Sequence, residues 1–403
     1  MSVSDGASTS TYRAYQYLEA GRDFEEIQLV PELDRVKSSA PTLTAEEEQR
    51  VARIMRDHVI MSAHDHPGVR PKDAADFVRY RRRGRDVTGY EGIAASGVDV
   101  FFDGMMNGTA FITSNAGWKW TDVVHDIGMR LCDLAHQDLV RPVFRYADIA
   151  EIKAAGQIGL VLSLESCTPI ENELDRLDVL FGLGIRSLGV TYSESNSLGS
   201  GLAEPSDAGL TNFGRRAVHR MNQIGMLIDL SHSGDRTSLE TIELSEHPTV
   251  ISHAGARALW DSERMKPDDV IRACAERGGV IGIEAAPHTT ITRNQRRHTL
   301  DSVMEHFEYC VDLVGIEHVA FGPDTHFGDH VLWHKAFAAA LAITEEPEEL
   351  QHPEVDFVDG LESPAEAMRN IARWLVGHGY EEAQISAVLG GNLLRVLSQV
   401  WPA

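Results

Sequence analysis

The chain has 403 residues, of which 43% are hydrophobic, and a chain of this length can bury a large core. Its 61 Asp and Glu residues outnumber its 37 Lys and Arg residues, which gives a formal net charge of −24. Because a surface that binds a phosphate backbone or an anionic membrane must be basic, this balance argues against nucleic acid and membrane partners.

The four cysteines of the chain are widely separated and form no Cys-x-x-Cys pair, which argues against a zinc ribbon or a redox motif. Few cysteines in a long chain are typical of a reducing compartment. Residues 1–11 are polar and lack the basic start and apolar run of a secretory signal. No stretch approaches the ~18 apolar residues that a membrane span needs. We therefore expect a soluble, cytoplasmic protein.

The first predicted helix follows a polar N-terminal extension, which we place at residues 1–45. Thr44 and Glu47 match a capping box, and the apolar spacing that follows, through Asp57, is helical. We expect residues 46–403 to form a single domain.

Eight short, apolar segments then recur along the chain, and most are followed by a segment of helical periodicity, as at 212–224 and 267–277. The predicted strands lie at 59–63, 98–102, 159–164, 185–190, 226–230, 249–252, 279–283 and 318–321. Continuous apolar character is typical of parallel strands that are buried on both faces. The pattern predicts an α/β protein with a (β/α)₈ TIM barrel. A doubly wound open sheet is the alternative, but the Gly-x-Gly-x-x-Gly fingerprint of its nucleotide-binding form is absent.

Beyond the eighth strand the periodic pattern weakens. Residues 344–360 are acidic and contain proline, which predicts a loop. Two C-terminal helices are predicted at 363–377 and 381–400, the second interrupted at Gly390 and Gly391.

Residues able to bind a metal or move a proton follow five of the predicted strands. They are His64 and His66 after the first, Glu165 after the third, His232 after the fifth, His253 after the sixth and Asp324 after the eighth. The carboxyl ends of barrel strands meet at one mouth, so these distant positions would converge. Each alone has a structural explanation, such as an ion pair for Glu165 or a core position for His253, but their coincidence favours a metal site.

Side chains two residues apart on an extended chain point the same way, so His64 and His66 can bind one ion. His232 and His253 can bind a second ion, and a carboxylate between the pairs can bridge both. Imidazole and carboxylate donors suit two Zn²⁺ ions, although manganese, cobalt and iron accept the same donors. A water shared by two cations loses its proton near neutral pH, and Asp324 would accept that proton and deliver it to a leaving nitrogen.

Several segments resemble the renal, or membrane, dipeptidase family (peptidase family M19) of the amidohydrolase superfamily. The most specific are 209–214, 222–232, 250–253, 267–270 and 390–396. The resemblance implies a zinc-dependent hydrolase of dipeptides that can form homodimers. It implies that His64 binds the first zinc, that Glu165 bridges, that His232 and His253 bind the second zinc, and that Asp324 is the catalytic acid and base. Arg264, eleven residues beyond His253, matches the family's arginine that binds the substrate carboxylate. A guanidinium suits that role because its planar fork of donors matches a carboxylate.

Two residues depart from the family pattern. His66 stands where the family has an aspartate, which makes the site one charge more positive, and Asp65 should point to the opposite face of the strand. Tyr192 replaces a histidine that contacts the scissile carbonyl, although a phenol can also donate a hydrogen bond there. We expect hydrolysis of a small carboxylate-bearing amide, with dipeptides as the default substrate. The alternatives are a specialised non-peptide amide, imide or lactam, or a catalytically silent binding protein.

Overall fold

The computed structural model of the chain describes residues 12–105, 119–333 and 355–402. Its first helix, α1 (Ala45–Asp57), begins as the capping box predicts: the Glu47 amide donates to Thr44 Oγ1 (3.3 Å) and the Thr44 amide donates to Glu47 Oε2 (2.8 Å). These two bonds satisfy backbone donors that would otherwise have no partner in the first helical turn.

All eight predicted strands are present in the described residues. In chain order the strands are β1 (Met61–Val69), β2 (Val100–Gly104), β3 (Val140–Pro142), β4 (Ile158–Leu164), β5 (Ile185–Gly189), β6 (Leu227–Asp229), β7 (Val250–Ala254), β8 (Val280–Ile283), β9 (Val319–Phe321) and β10 (His326–Phe327). They pair in parallel in the order β10-β1-β2-β4-β5-β6-β7-β8-β9, and β3 pairs with β4. The short strands β3 and β10 were not predicted.

The segment after β9 returns to β1 and closes the ring of strands. The Asp324 amide donates to the His64 carbonyl (3.0 Å), and the His66 amide donates to the Thr325 carbonyl (2.8 Å). The Asp65 carboxylate, which points away from the barrel mouth, accepts bonds from the Thr325 amide (2.8 Å) and hydroxyl (2.7 Å). The predicted (β/α)₈ barrel is confirmed.

Helices surround the barrel. After α1 they are α2 (Phe77–Arg83), α3 (Tyr90–Ser96), α4 (Trp120–Leu134), α5 (Tyr146–Ala154), α6 (Arg176–Gly182), α7 (Asn212–Ile224), α8 (Asp235–Leu244), α9 (Asp268–Glu276), α10 (Leu300–Val314), α11 (Ala367–Gly377), α12 (Glu382–Ser386) and α13 (Asn392–Val400). Among the described residues, no helix combines the length and apolar character that would let it cross a membrane.

The C-terminal helix α13 covers the amino end of the barrel. Met61, Val100 and Val280 are the first residues of β1, β2 and β8. They share an apolar cluster with Leu393 and other residues of α13. The kink before this helix requires Gly390, because a Cβ there would lie 2.1 Å from the Val59 carbonyl oxygen. With one end filled by apolar side chains, only the carboxyl ends of the strands remain for polar chemistry.

The described part of the N-terminal extension packs on the barrel domain. The Tyr15 amide donates to Asp133 Oδ1 (2.7 Å) of α4, and the Tyr12 hydroxyl donates to the same oxygen (2.8 Å). At its other end, the Ser39 amide donates to Asp359 Oδ1 (2.7 Å). The predicted acidic loop at 344–360 lies largely outside the described residues.

Candidate metal centre

The six predicted ligand and proton-transfer residues lie together at the carboxyl end of the barrel. His64 and His66 belong to β1 and His253 to β7, whereas Glu165, His232 and Asp324 follow β4, β6 and β9. Each of the six is at most 8% exposed. Ionisable side chains are rarely buried this deeply unless a charge or a metal compensates for the lost water.

Glu165 divides its two carboxylate oxygens between two histidine pairs. Oε1 lies 3.8 Å from His64 Nε2 and 3.7 Å from His66 Nε2. Oε2 lies 3.2 Å from His232 Nε2 and 3.9 Å from His253 Nε2. A carboxylate that faces one donor set with each oxygen has the disposition of a ligand shared by two cations.

Ring nitrogens of neighbouring histidines lie close together in this cluster. His232 Nε2 and His253 Nε2 are 3.0 Å apart, and His64 Nε2 is buried without a hydrogen-bond partner in the described part of the chain. Burial lowers the pKa of His64 to about 3 and holds the pKa values of His232 and His253 well below the usual range. Neutral imidazole is the form that binds metal. The cluster therefore fits divalent cations by its own chemistry.

Two groups of three residues bring one ligand atom each within 4.8 Å of the others: His64, His66 and Asp324, and Glu165, His232 and His253. The first group would hold one ion and the second another, with Glu165 shared. His66 Nε2 lies 3.0 Å from Asp324 Oδ1. Burial opposes charge on His66, but this bond and the nearby Glu165 raise its pKa to about 9.

Hydrogen bonds behind the cluster orient two of the histidines. The Nδ1–H of His66 donates to the Gly104 carbonyl (2.7 Å), which turns Nε2 toward the centre and Asp324. The Nδ1–H of His253 donates to Ser252 Oγ (2.7 Å), and that hydroxyl in turn donates to Asp229. Asp229 was not predicted, although it ends a strand three residues before His232 and could have been found by the rule that found the others.

Gly104 makes room for the first histidine pair. A Cβ at this position would lie 2.6 Å from His64 Cε1 and 2.8 Å from His66 Cε1, closer than real contacts allow. Only glycine therefore lets the two imidazoles occupy this end of β1. Sequence reasoning gave no role to this residue.

Asp324 adopts a left-handed backbone conformation, with φ of 56°, which is uncommon for a residue with a side chain. The bond from its amide to the His64 carbonyl holds this conformation (3.0 Å). Burial alone would raise the pKa of Asp324, but the hydrogen bond to His66 and the surrounding histidines hold it well below the usual range. The carboxylate is therefore ionised and able to accept a proton.

Arg264 lies at the same mouth, but Glu284 already engages its guanidinium. Arg264 Nη2 donates to Glu284 Oε2 and to the His253 carbonyl (3.0 Å), and Nη1 donates to the Ser231 carbonyl (3.3 Å). Glu284 is fully buried directly after β8, and burial raises its pKa to about 7. It was missed even though it follows the predicted strand 279–283, so the rule used for the other strand ends was sufficient to find it.

Tyr192 follows β5 and stacks on His232, with ring centroids 4.1 Å apart and an interplanar angle of 21°. Burial raises its pKa well above the usual value, so the phenol keeps its proton. The structure thus brings all eight residues predicted from the sequence to one mouth.

A (β/α)₈ barrel that gathers four histidines and a shared carboxylate at its strand ends is a metal-binding barrel of the amidohydrolase type. The model of the membrane dipeptidase family (peptidase family M19) matches residues 120–332, more than half of the chain, and the chain belongs to that family. The match contains Glu165, Tyr192, His232, His253, Arg264 and Asp324, whereas His64 and His66 precede it.

Two curated relatives illustrate the similarity. Dipeptidase aclJ of Aspergillus oryzae is 25% identical over 295 residues, which is 69% of this chain and 62% of that protein. Dipeptidase 3 of Mus musculus is 25% identical over 250 residues, or 60% of this chain and 45% of the relative. The chain thus spans about half of the length of such relatives.

Solved structures share the fold over nearly their whole length. An amidohydrolase from Pseudomonas aeruginosa superposes with a TM-score of 0.72 at 24% identity, covering 87% of this chain and 99% of that one. A metallopeptidase from Rhodobacter sphaeroides, liganded with a phosphinate mimic of the dipeptide L-Ala-D-Ala, has a TM-score of 0.63 at 18% identity, covering 85% and 99%. At these identities the likeness concerns the fold.

Proposed function

We propose that this protein is a metal-dependent hydrolase that cleaves the amide bond of a dipeptide. The observation that carries the proposal is the division of the Glu165 carboxylate between two histidine pairs (3.2 to 3.9 Å). Membership of the dipeptidase family supports the reaction and the substrate class.

Two zinc ions are the proposed cofactors, held by His64, His66, Glu165, His232 and His253 with Asp324 beside the first pair. Divalent ions bound to such donors supply Lewis acidity, which acidifies water and polarises a carbonyl group.

Asp324 would act as the proton carrier. Its carboxylate is buried at the centre, ionised, and 3.0 Å from His66 Nε2, so it can take a proton from the attacking water. The same group would then donate that proton to the leaving nitrogen. The Tyr192 phenol, which stays protonated, would donate a hydrogen bond to the oxygen on which negative charge develops.

Arg264 would bind the substrate carboxylate in exchange for part of its bonding to Glu284. An Arg264→Ala variant should raise KM for dipeptides by about 10- to 100-fold, since a hydrogen bond to a charged group contributes roughly 1.5–3 kcal/mol. Steady-state kinetics would measure this change. Unchanged KM for every substrate that the enzyme accepts would exclude carboxylate recognition by Arg264.

The direct test of the proposed reaction is a panel of L,L- and L,D-dipeptides beside non-peptide amides, assayed with zinc-loaded protein. Cleavage of dipeptides that depends on added zinc would support the proposal. Cleavage of the non-peptide amides alone would replace the substrate class, and no turnover with a full complement of zinc would indicate a binding protein.

We also propose a cytoplasmic location and a homodimeric state. All four cysteines are free, and three are buried, as a reducing compartment favours. Cell fractionation and light scattering would test these two assignments.

A further inference from the structure

A cavity of about 330 Å³ opens beside the candidate metal centre, and His66 and Gly104 form part of its wall. The described lining contains five arginines, Arg70, Arg81, Arg82, Arg85 and Arg130, and three aspartates, Asp86, Asp103 and Asp126. In a chain with a net charge of −24, an excess of arginine around one cavity indicates an anionic ligand. We call this cavity the arginine pocket.

The deeper arginines of the arginine pocket pair with two carboxylates, those of Asp103 and Asp86. Arg130 Nε lies 3.2 Å from Asp103 Oδ2, and Arg81 Nη1 lies 2.9 Å from Asp86 Oδ1. Asp86 also receives Arg130 Nη2 at 3.5 Å. With Arg70, which is also buried in the lining, the base of the pocket holds three guanidinium groups and these two carboxylates.

The outer arginines are not neutralised in this way. Arg82 is exposed, and neither Arg82 nor Arg85 forms an ion pair among the described residues. The Nη atoms of Arg85 donate to uncharged acceptors, the carbonyls of Gly84 (2.9 Å) and Asp23 (3.5 Å). The Nε atom of Arg85 is buried with no hydrogen-bond partner in the described ranges. Leaving a buried donor unsatisfied costs free energy, which a bound anion would recover.

The arginine pocket and Arg264 lie on opposite sides of the candidate metal centre. The pocket adjoins the centre at residues of β1 (His66) and β2 (Gly104), whereas Arg264 donates to the carbonyl of His253 on β7. In the closed ring of strands, β2 and β7 are four strands apart in either direction. A substrate that spans the centre from Arg264 therefore extends its other end toward the pocket.

We propose that the arginine pocket binds the carboxylate side chain of the residue on the amino side of the scissile bond, so that dipeptides beginning with Asp or Glu are preferred. This inference rests on the proposed function, because it takes the dipeptide's own carboxylate to lie at Arg264. Guanidinium groups match a second carboxylate by paired, charge-assisted hydrogen bonds.

The test compares L-Glu-L-Ala with L-Gln-L-Ala, which have nearly the same shape but differ in side-chain charge. For the zinc-loaded full chain we expect kcat/KM to favour L-Glu-L-Ala by about tenfold, the effect of roughly one charge-assisted hydrogen bond. In an Arg82→Gln/Arg85→Gln double variant this ratio should fall to near one. The outer arginines are chosen because removing Arg130 would take away the cation paired with Asp103, and removing Arg81 would leave Asp86 only the longer contact with Arg130.

Arg83→Gln is the matched control, because Arg83 lies beside Arg82 on α2 but does not line the pocket. It should leave the Glu-to-Gln ratio at the wild-type value. A wild-type ratio of one or less, or a ratio that the double variant does not change, would overturn the proposal. If no dipeptide is cleaved, isothermal titration with the same two dipeptides separates the questions: tenfold tighter binding of L-Glu-L-Ala, lost in the double variant, would support the pocket while the hydrolytic function fails.

Discussion

The two ends of the barrel bury different kinds of side chain. At the amino end, Met61, Val100 and Val280 meet Leu393 of α13 in an apolar cluster. At the carboxyl end, histidines and carboxylates are equally buried, and they compensate one another by hydrogen bonds and charge. The first end contributes stability through hydrophobic burial, whereas the second gives up stability to hold ionisable groups out of water. Substitutions at the two ends should therefore have separable effects.

The largest effect is expected at Asp324. Asn has nearly the same shape and tolerates the left-handed conformation, so Asp324→Asn should fold normally. It cannot carry the proton, and kcat should fall by about 1,000-fold, within the range measured for general acid–base catalysis. Steady-state kinetics on zinc-loaded protein would measure the loss. A kcat within a few-fold of the wild type would remove Asp324 from the reaction.

At the amino end, Leu393→Ala should act on stability alone. Truncating a fully buried leucine costs about 2–5 kcal/mol of unfolding free energy. Urea unfolding would measure this change, and Leu394→Ala, at a partly buried neighbour, should cost less. The zinc content and kcat of the folded variant should match the wild type. A selective loss of zinc would show that the two ends are coupled.

Ser252→Ala tests the support behind a histidine. The Ser252 hydroxyl accepts a hydrogen bond from the Nδ1–H of His253 (2.7 Å) and donates a hydrogen bond to Asp229. Without it the imidazole loses its fixed tautomer, and zinc affinity should fall by about 10- to 100-fold. Competition with a chromogenic chelator would report the affinity. Ser398→Ala, at an exposed serine of α13, is the control. Equal zinc affinities in the two variants would argue against a role for the Ser252 hydrogen bonds in zinc binding.

The smallest effect is expected at Glu284. Glu284→Gln keeps the shape but weakens the competitor for the Arg264 guanidinium, so KM for dipeptides should fall by about three- to tenfold, since charged hydrogen bonds are roughly twice as strong as neutral ones. Initial-rate kinetics would measure KM, and Arg264→Ala, which should raise KM, is the control. An increase in KM would mean that Glu284 positions Arg264 for the substrate instead of competing with it.

The barrel could be predicted because its eight strands are buried on both faces and therefore read as continuous apolar runs. β3 was missed because only Val140 of its three residues is both apolar and buried, and β10 has two residues, too few to leave a pattern in the sequence. The convergence of six ligand and proton-transfer residues followed from strand order alone. The pairing of Arg264 with Glu284 could not be predicted from strand order, because a contact between residues that follow different strands depends on side-chain geometry. The arginine pocket also depends on tertiary structure, because Arg70 follows β1, Arg81 and Arg82 lie on α2, Arg85 follows that helix, and Arg130 lies on α4.

A carboxylate shared by two cations is the central feature of the proposed site, and zinc stoichiometry tests it most directly. Elemental analysis of the zinc-reconstituted protein should give about two zinc ions per chain, as a shared-ligand dinuclear site requires, and Glu165→Gln should lose more than one of them. Retention of two ions by Glu165→Gln, or one ion or fewer in the wild type, would contradict it.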